Sequence, residues 1–130
     1  MEKIKLVVIQ PQGTKIDNEF DHVIIPGIEG DLGVYVGHTP LITKIRPGIL
    51  TVSDSENKVL YALHDGFVTV EPDKIKIVCE TVEKYNEIDV NRAQASKERA
   101  EKRLSEGGEI DFRRAEASLK RALVRLETAR

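Results

Sequence analysis

Residues Pro26–Gly48 read PGIEGDLGVYVGHTPLITKIRPG, and this stretch decides the class of fold. It holds five of the nine glycines and three of the five prolines. Short apolar pieces lie between them: Val34-Tyr35-Val36, Leu41-Ile42, and Ile49-Leu50 just beyond. Glycine lets the chain reverse or lets another backbone come close, and proline fixes φ at turns. No helix persists through such punctuation. The stretch predicts short strands folding back on one another, the tight corners of a β-sandwich.

The same pattern extends to both sides. Ile4–Ile9 reads as a strand ended by Gln10-Pro11-Gln12-Gly13, Lys15-Ile16 as a short strand ending at Asp17-Asn18, and His22–Ile25 as another. Downstream, Ile49–Val52 stops at Ser53–Asn57, and Lys58–His64 follows. Asp65-Gly66 has the composition of a hairpin turn leading into Phe67–Glu71, and Pro72-Asp73 turns the chain into Ile75–Cys79. Alternation marks Ile4/Leu6/Val8, Val59/Tyr61/Leu63, Val68/Val70 and Ile75/Ile77 as core-facing sets. About ten short strands, with turns every eight residues or so, predict a sandwich with an aliphatic core.

Near Glu83–Asp89 the composition changes. All five prolines and seven of the nine glycines precede Ile88. Residues 1–87 carry 9 Lys/Arg against 14 Asp/Glu, a net of −5, whereas residues 88–130 carry 11 against 8, a net of +3. The chain therefore divides into a β-sandwich over residues 1–87 and a helical part over residues 88–130, an α+β arrangement. Asp89 is placed to cap a helix beginning at Val90, and Asp111 one beginning at Phe112. Gly107-Gly108 permits the reversal between them.

Both helices carry a heptad stripe. Val90, Ala93, Lys97, Ala100 and Leu104 form the first; Phe112, Ala115, Leu119, Ala122, Leu126 and Ala129 form the second. Joined by a tight turn, they predict an antiparallel hairpin. Its seam is thin, because an alanine buries far less than a leucine at roughly 0.8 kcal/mol per CH₂. Such a hairpin is suited to opening and moving, and equally to being a loose tail.

Arg92, Arg99 and Arg103 lie at spacings of 7 and 4, and Arg114, Arg121 and Arg125 repeat them. In an antiparallel pair the two sets line one edge. A solvated helix surface explains arginines in general, but Arg99–Arg103 and Arg121–Arg125 are like-charge i,i+4 pairs, which destabilise a helix unless an anion lies between them. Guanidinium groups bind phosphate or carboxylate in bidentate fashion. Both readings stand on spacing alone.

Other features bound the function. No apolar run reaches about 18 residues, so nothing reads as a membrane span. The first residues, MEKIKLVVIQ, lack a signal-peptide or transit pattern and start in a strand. Cys79 is the only cysteine and reads as a buried small apolar residue in a reducing compartment. There is no GxxxxGK[ST] loop, hence no catalytic nucleotide site of that kind.

Four stretches, EGDLGVYVGHTPLITKIRPG (Glu29–Gly48), HDGFVTVEPDKI (His64–Ile75), IDVNRA (Ile88–Ala93) and IDFRRAEASLKRALVRL (Ile110–Leu126), occur in the order found in a known family. Over its whole length the chain resembles the epsilon subunit of bacterial F-type ATP synthases. The resemblance implies a ten-stranded sandwich followed by two helices, and a non-catalytic rotor subunit of the central stalk. It implies partners: the gamma subunit and the membrane c-ring for the sandwich, and the catalytic alpha and beta subunits when the helices extend and block ATP hydrolysis. It places the protein peripherally on the cytoplasmic side of the bacterial cell membrane.

The motif I/L-D-x-x-R-A, here Ile88-Asp89-Val90-Asn91-Arg92-Ala93, resembles the family's nucleotide site. By resemblance ATP is a regulatory ligand, held by Glu83, Ile88, Asp89, Arg92, Ala93, Arg99, Arg121 and Arg125, that keeps the hairpin folded down. Glu83 and Ile88 are expected beside the base or ribose, and the arginines around the phosphates. Asp31 and His38 are expected, exposed, on the face that meets the c-ring. No cofactor or metal is implied.

An alternative of another class is a small cupin-like metal enzyme using His22, His38 and His64. His38-Thr39-Pro40 lacks a second histidine two residues on, and no glutamate follows at a usable spacing. A nucleic-acid binder is disfavoured because acidic residues interleave with the basic ones and aromatics are nearly absent from the helices.

Overall fold

The computed structural model describes residues 2–106 and 109–130, with side chains from residue 112 onward in the second of these segments. Eight strands come first: β1 (Ile4–Gln10), β2 (Gly13–Phe20), β3 (His22–Gly27), β4 (Gly30–Val34), β5 (Leu41–Ile45), β6 (Gly48–Asp54), β7 (Asn57–Val70) and β8 (Lys74–Lys84). Two helices follow, α1 (Val90–Glu106) and α2 (Glu109–Ala129). The strands run in the order β2-β1-β8-β7-β5-β3-β4, with β6 joining β3 to β7. This sheet folds over on itself, so that Ile4, Leu6, Val8, Val23, Ile25, Leu50, Leu63, Val68, Ile75 and Ile77 meet in one aliphatic core. Val59 and Tyr61, expected in that core, are only partly buried at its edge.

The glycine-rich stretch is strand and corner as expected. The β3–β4 hairpin turns at Ile28-Glu29, and Gly30 takes φ +139°, a conformation that excludes most side chains. Arg46-Pro47 then makes the corner between β5 and β6, pinned where the Arg46 N–H donates to Pro26 O at 3.0 Å.

Asp65-Gly66 is not a hairpin turn. Lys58–His64 and Phe67–Glu71 are largely one strand, β7, which helps to bring the count among the described residues to eight strands rather than about ten. Its first half pairs with β6 up to Gly48↔Leu63, and its second half with β5 from Ile45↔Gly66. The dipeptide sits where the strand passes from one neighbour to the next, as at the corners of folded-over sheets. Asp65 bends there with φ +42°. Glycine is required at 66 because an added Cβ would lie 2.2 Å from Val78 O on β8.

β2 is also longer than the sequence suggests. It extends through Asp17–Phe20 because β1 supplies a pairing partner for each residue, down to Ile4↔Phe20. α1 begins at Val90 as expected, whereas α2 begins at Glu109, so Asp111 lies inside the helix rather than ahead of it. The expected reversal at Gly107-Gly108 lies outside the described residues. Ala93, Ala100, Ala115 and Ala122 are buried between the helices, while the ends of the stripes, Val90 and Phe112, are about half exposed. α2 is the helix that lies on the sandwich, across β6 and β7.

Candidate functional site

The entry to α1 is built from short-range bonds. After β8 ends, the Tyr85 N–H donates to Leu60 O. Glu87 accepts from the Lys84 N–H at 3.0 Å and pairs with Lys15 Nζ at 2.8 Å. Lys15, helped by that N–H, holds the Glu87 carboxyl below the usual range. Asp89 caps the helix, its Oδ1 accepting the Arg92 N–H at 3.0 Å, and its backbone carbonyl accepts from the Ala93 N–H.

Two clefts open beside this junction. The first, about 310 Å³, runs between the helices and is lined by Arg99 and Arg103 from α1 and Arg121 and Arg125 from α2, over a floor of Ala100 and Ala115. Two serines brace it with the same spacing on each helix. Arg99 Nη2 donates to Ser96 Oγ at 3.1 Å, and Arg121 Nη2 donates to Ser118 Oγ at 3.2 Å. Four guanidinium groups thus face a small volume without a carboxylate among its lining residues. Such a cleft attracts a multivalent anion, and phosphate oxygens match the guanidinium fork.

The second cleft, about 560 Å³, lies between α1 and the sandwich. Gln10, Gln12, Thr81, Glu83, Glu87, Asp89, Arg92 and Ala93 line it. Its walls carry amide and carboxylate groups, suited to hydroxyl groups and to the polar edge of a base, beside the guanidinium groups of Arg92 and Arg125. Arg125 and Ser96 belong to both clefts. Arg125 Nε donates to Glu83 Oε1 at 2.5 Å, so a carboxylate of β8 already engages one guanidinium of the arginine cleft.

Seven of the eight residues expected at a nucleotide site therefore line the two clefts: Glu83, Asp89, Arg92, Ala93, Arg99, Arg121 and Arg125. Ile88 lines neither. It is buried, as an apolar residue just before a helix cap commonly is when it fixes the angle of entry. Arg114 also falls outside both clefts. The sequence reading missed Gln10, Gln12 and Thr81 as lining residues, along with the paired serines.

Asp31 is exposed as expected, but it is not free. Arg46 Nη2 donates to its Oδ1 at 2.7 Å. His38 is half-buried rather than exposed, with Nδ1–H donating to Thr39 O at 2.7 Å, because its backbone N–H folds the loop back onto Tyr35 O. The three histidines have different surroundings. His22 stacks on Tyr35 with centroids 4.1 Å apart, and His64 is buried beneath α2. Among the described residues no three His, Cys, Asp or Glu are grouped as metal ligands.

An apolar surface on the sandwich was also missed. Phe67 and Val78 pair across β7 and β8, and Ile42 lies on the adjacent β5; all three are more than half exposed. The signal was present as an out-of-phase apolar residue beside each core residue, Phe67 next to Val68 and Val78 next to Ile77.

Fold and clefts together describe a strand domain with an exposed apolar face, followed by a helical hairpin with an arginine-lined cleft. Residues 3–85 match the family model described as the ATP synthase delta/epsilon chain β-sandwich domain, and residues 86–130 match that of its long α-helix domain. The chain belongs to the ATP synthase delta/epsilon chain family. It is 42% identical over 107 residues to the ATP synthase epsilon chain of Desulfosudis oleivorans, covering 82% of this chain and 80% of that one. It is 39% identical to the epsilon chain of Alkalihalophilus pseudofirmus, with 81% and 79% covered. The fold is that of a chain in the Euglena gracilis mitochondrial ATP synthase OSCP/F1/c-ring structure, at TM-score 0.87 and 23% identity, covering 99% of this chain and 82% of the other.

Proposed function

We propose that this subunit works in the rotor of a bacterial ATP synthase, on the cytoplasmic side of the membrane, and that ATP regulates it by holding its helices down. The observation that carries the regulatory reading is the arginine cleft, whose walls come from both helices. An anion there is bound fully only while α1 and α2 lie together and α2 rests beside Glu83. That is differential affinity for one of two states, the requirement for a population shift. Phosphates occupy the arginine cleft, and ribose and base the adjoining cleft of Gln10, Glu83 and Asp89. Arg125 and Ser96 line both clefts, and Arg92 lines the second.

Released, the basic hairpin extends toward acidic segments of the catalytic alpha and beta subunits and inhibits hydrolysis. The apolar surface of Ile42, Phe67 and Val78 supports docking of the sandwich on the gamma subunit, since a contiguous exposed apolar patch marks a contact surface. Asp31, oriented by Arg46, and the His38 loop face the c-ring. Among the described residues no helix is long and apolar enough to cross a membrane, in keeping with peripheral attachment through these contacts.

Calorimetry on the isolated chain tests the ligand. Binding of ATP in the range of roughly micromolar to millimolar, lost in Arg121→Ala/Arg125→Ala, supports the site. Equal binding by both proteins, or none at millimolar ATP, removes it. Truncation after Glu87 in the assembled enzyme is expected to raise ATP hydrolysis, and an unchanged rate rules out inhibition by the arm. Asp31→Ala with His38→Ala is expected to weaken coupling of proton flow to synthesis in reconstituted vesicles. Unchanged coupling there removes the c-ring contact.

A further inference from the structure

Ala62, Leu63 and His64 are consecutive residues of β7 and all are essentially inaccessible to solvent. Leu63 belongs to the core between the sheet layers, so the alternation of a strand turns Ala62 and His64 to the opposite face. That face would be wet but for α2, which packs across β6 and β7. His64 therefore owes its burial to the docked hairpin. Both of its ring nitrogens lack a hydrogen-bond partner among the described residues.

The groups around the imidazole offer a proton no help. From α2, Arg121 and Arg125 bring positive charge. From β8, the residue paired opposite is the neutral Thr81, and Glu83 further along is engaged by Arg125. β6 runs alongside with Gly48 and Ile49, both uncharged. On β7 itself the next residue, Asp65, is exposed and lines a shallow cleft with Arg113, Glu116, Lys120 and Arg121 of α2, where three cations outnumber the two carboxylates.

We propose that His64 is a proton-binding site that governs docking of the helical hairpin: protonated, the imidazole is expelled from beneath α2 and the arm lifts. This rests on the reading that the hairpin has a docked and a released state, but not on nucleotide binding. In the docked state burial, followed by the charges of Arg125 and Arg121, pushes the His64 pKa down to about 4. Released into water, it returns to about 6.5. The docked state excludes the proton, so docking is undiminished above pH ~6.5 and is lost as pH falls from there toward about 4. Between pH 7.5 and 5.5 the ratio of docked to released arm falls roughly tenfold. Acidification thus acts on the arm in the direction opposite to ATP.

The test uses the full chain with spin labels at Lys76→Cys and Glu127→Cys, both exposed, the buried Cys79 being left in place. Pulsed dipolar distances report the docked fraction at pH 7.5 and 5.5, and urea at pH 7.5 serves as a control that lifts the arm. The expected result is a roughly tenfold fall in the docked-to-released ratio for the parent. His64→Gln is expected to show a flat profile. His64→Leu is expected to be flat too and to dock more tightly, because the imidazole it replaces has no partner to lose. A parent profile that matches His64→Gln overturns the proposal, as does weaker docking in His64→Leu. If urea lifts the arm but acid does not, the proton site alone fails. If nothing lifts it, the two-state reading fails as well.

Discussion

Glu83→Gln removes the carboxylate that ties α2 to β8, the one ion pair between that helix and the sandwich among the described residues. Its magnitude follows from its burial. A hydrogen bond to a charged group contributes about 1.5–3 kcal/mol when sheltered, and an exposed ion pair about 0–1. Arg125 and Glu83 are 27% and 28% exposed, between these limits. A coupling of about 1–1.5 kcal/mol is expected, which lowers the docked-to-released ratio roughly five- to twelvefold. The two single substitutions should not be equal. Glu83→Gln leaves Arg125 facing Arg99 and Arg103 of α1 across the cleft, a like-charge repulsion that exists only while the helices lie together and costs roughly 0.2–0.5 kcal/mol. Arg125→Gln removes that repulsion along with the bond. Glu83→Gln is therefore the more damaging of the two by a few tenths of a kcal/mol, although it deletes the less basic partner.

The assay is a double-mutant cycle on the same labelled chain at pH 7.5, above the range in which His64 binds a proton, without nucleotide. Docking free energies for the parent, Glu83→Gln, Arg125→Gln and the double variant yield the coupling directly. A coupling below about 0.3 kcal/mol would make the contact an ordinary surface pair. Arg125→Gln proving the costlier change would refute the assignment of repulsion within the arginine cleft.

Gly66→Ala drives a Cβ to 2.2 Å from Val78 O, so β7 and β8 must part; a loss of about 2–4 kcal/mol is expected in denaturant unfolding, and an unchanged midpoint contradicts the close approach. The Cys79 thiol is buried and pushed up to about 11 by that burial, so iodoacetamide at pH 8 should label it only after unfolding, as read by intact mass. Asp89→Ala removes the cap on the Arg92 N–H and should destabilise the start of α1 by about 1 kcal/mol, seen as faster hydrogen exchange over the first turn.

Much of this was legible in residue order because it depends on local periodicity. The alanine stripes, the cap at Asp89 and the turns around Gly27 and Gly37 each follow from residues within one or two turns of chain. The arginine cleft was legible for the same reason, since spacings of 7 and 4 repeated on antiparallel helices must share an edge. What escaped was decided by partners distant in sequence. Asp65-Gly66 has the composition of a turn, but β8 passes so close that glycine is needed in a continuous strand, and only the pairing Gly66↔Cys79 reveals it. Gln10 joins the second cleft because its Oε1 accepts the Val82 N–H at 3.3 Å, 72 residues away. Ile88 was assigned to the ligand through a motif, whereas its own chemistry puts it inside. Ser96 and Ser118 did leave a trace, a serine three residues before an arginine on each helix, which spacing analysis of the arginines alone passes over.

The docked hairpin is assembled from contacts that are individually weak, and this follows from composition. A seam of alanines buries little apolar area. Four guanidinium groups repel across the cleft, with one carboxylate, Glu83, to answer them. His64 is covered without a hydrogen-bond partner among the described residues. Replacing these features by leucines and salt bridges would give a firmer hairpin, but an indifferent one. A firm seam leaves an anion nothing to add, since bound ligand shifts an equilibrium only when both states are populated within its reach. An imidazole with a partner would gain or lose a proton without moving the helix above it. In the proposed regulation the two defects act through the same helix with opposite sign, because phosphate in the cleft would neutralise Arg121 and Arg125 while a proton on His64 would add to them. Millimolar anion and a drop of one or two pH units are each small inputs. They suffice only where docking is stabilised by no more than a few kcal/mol, as these contacts imply.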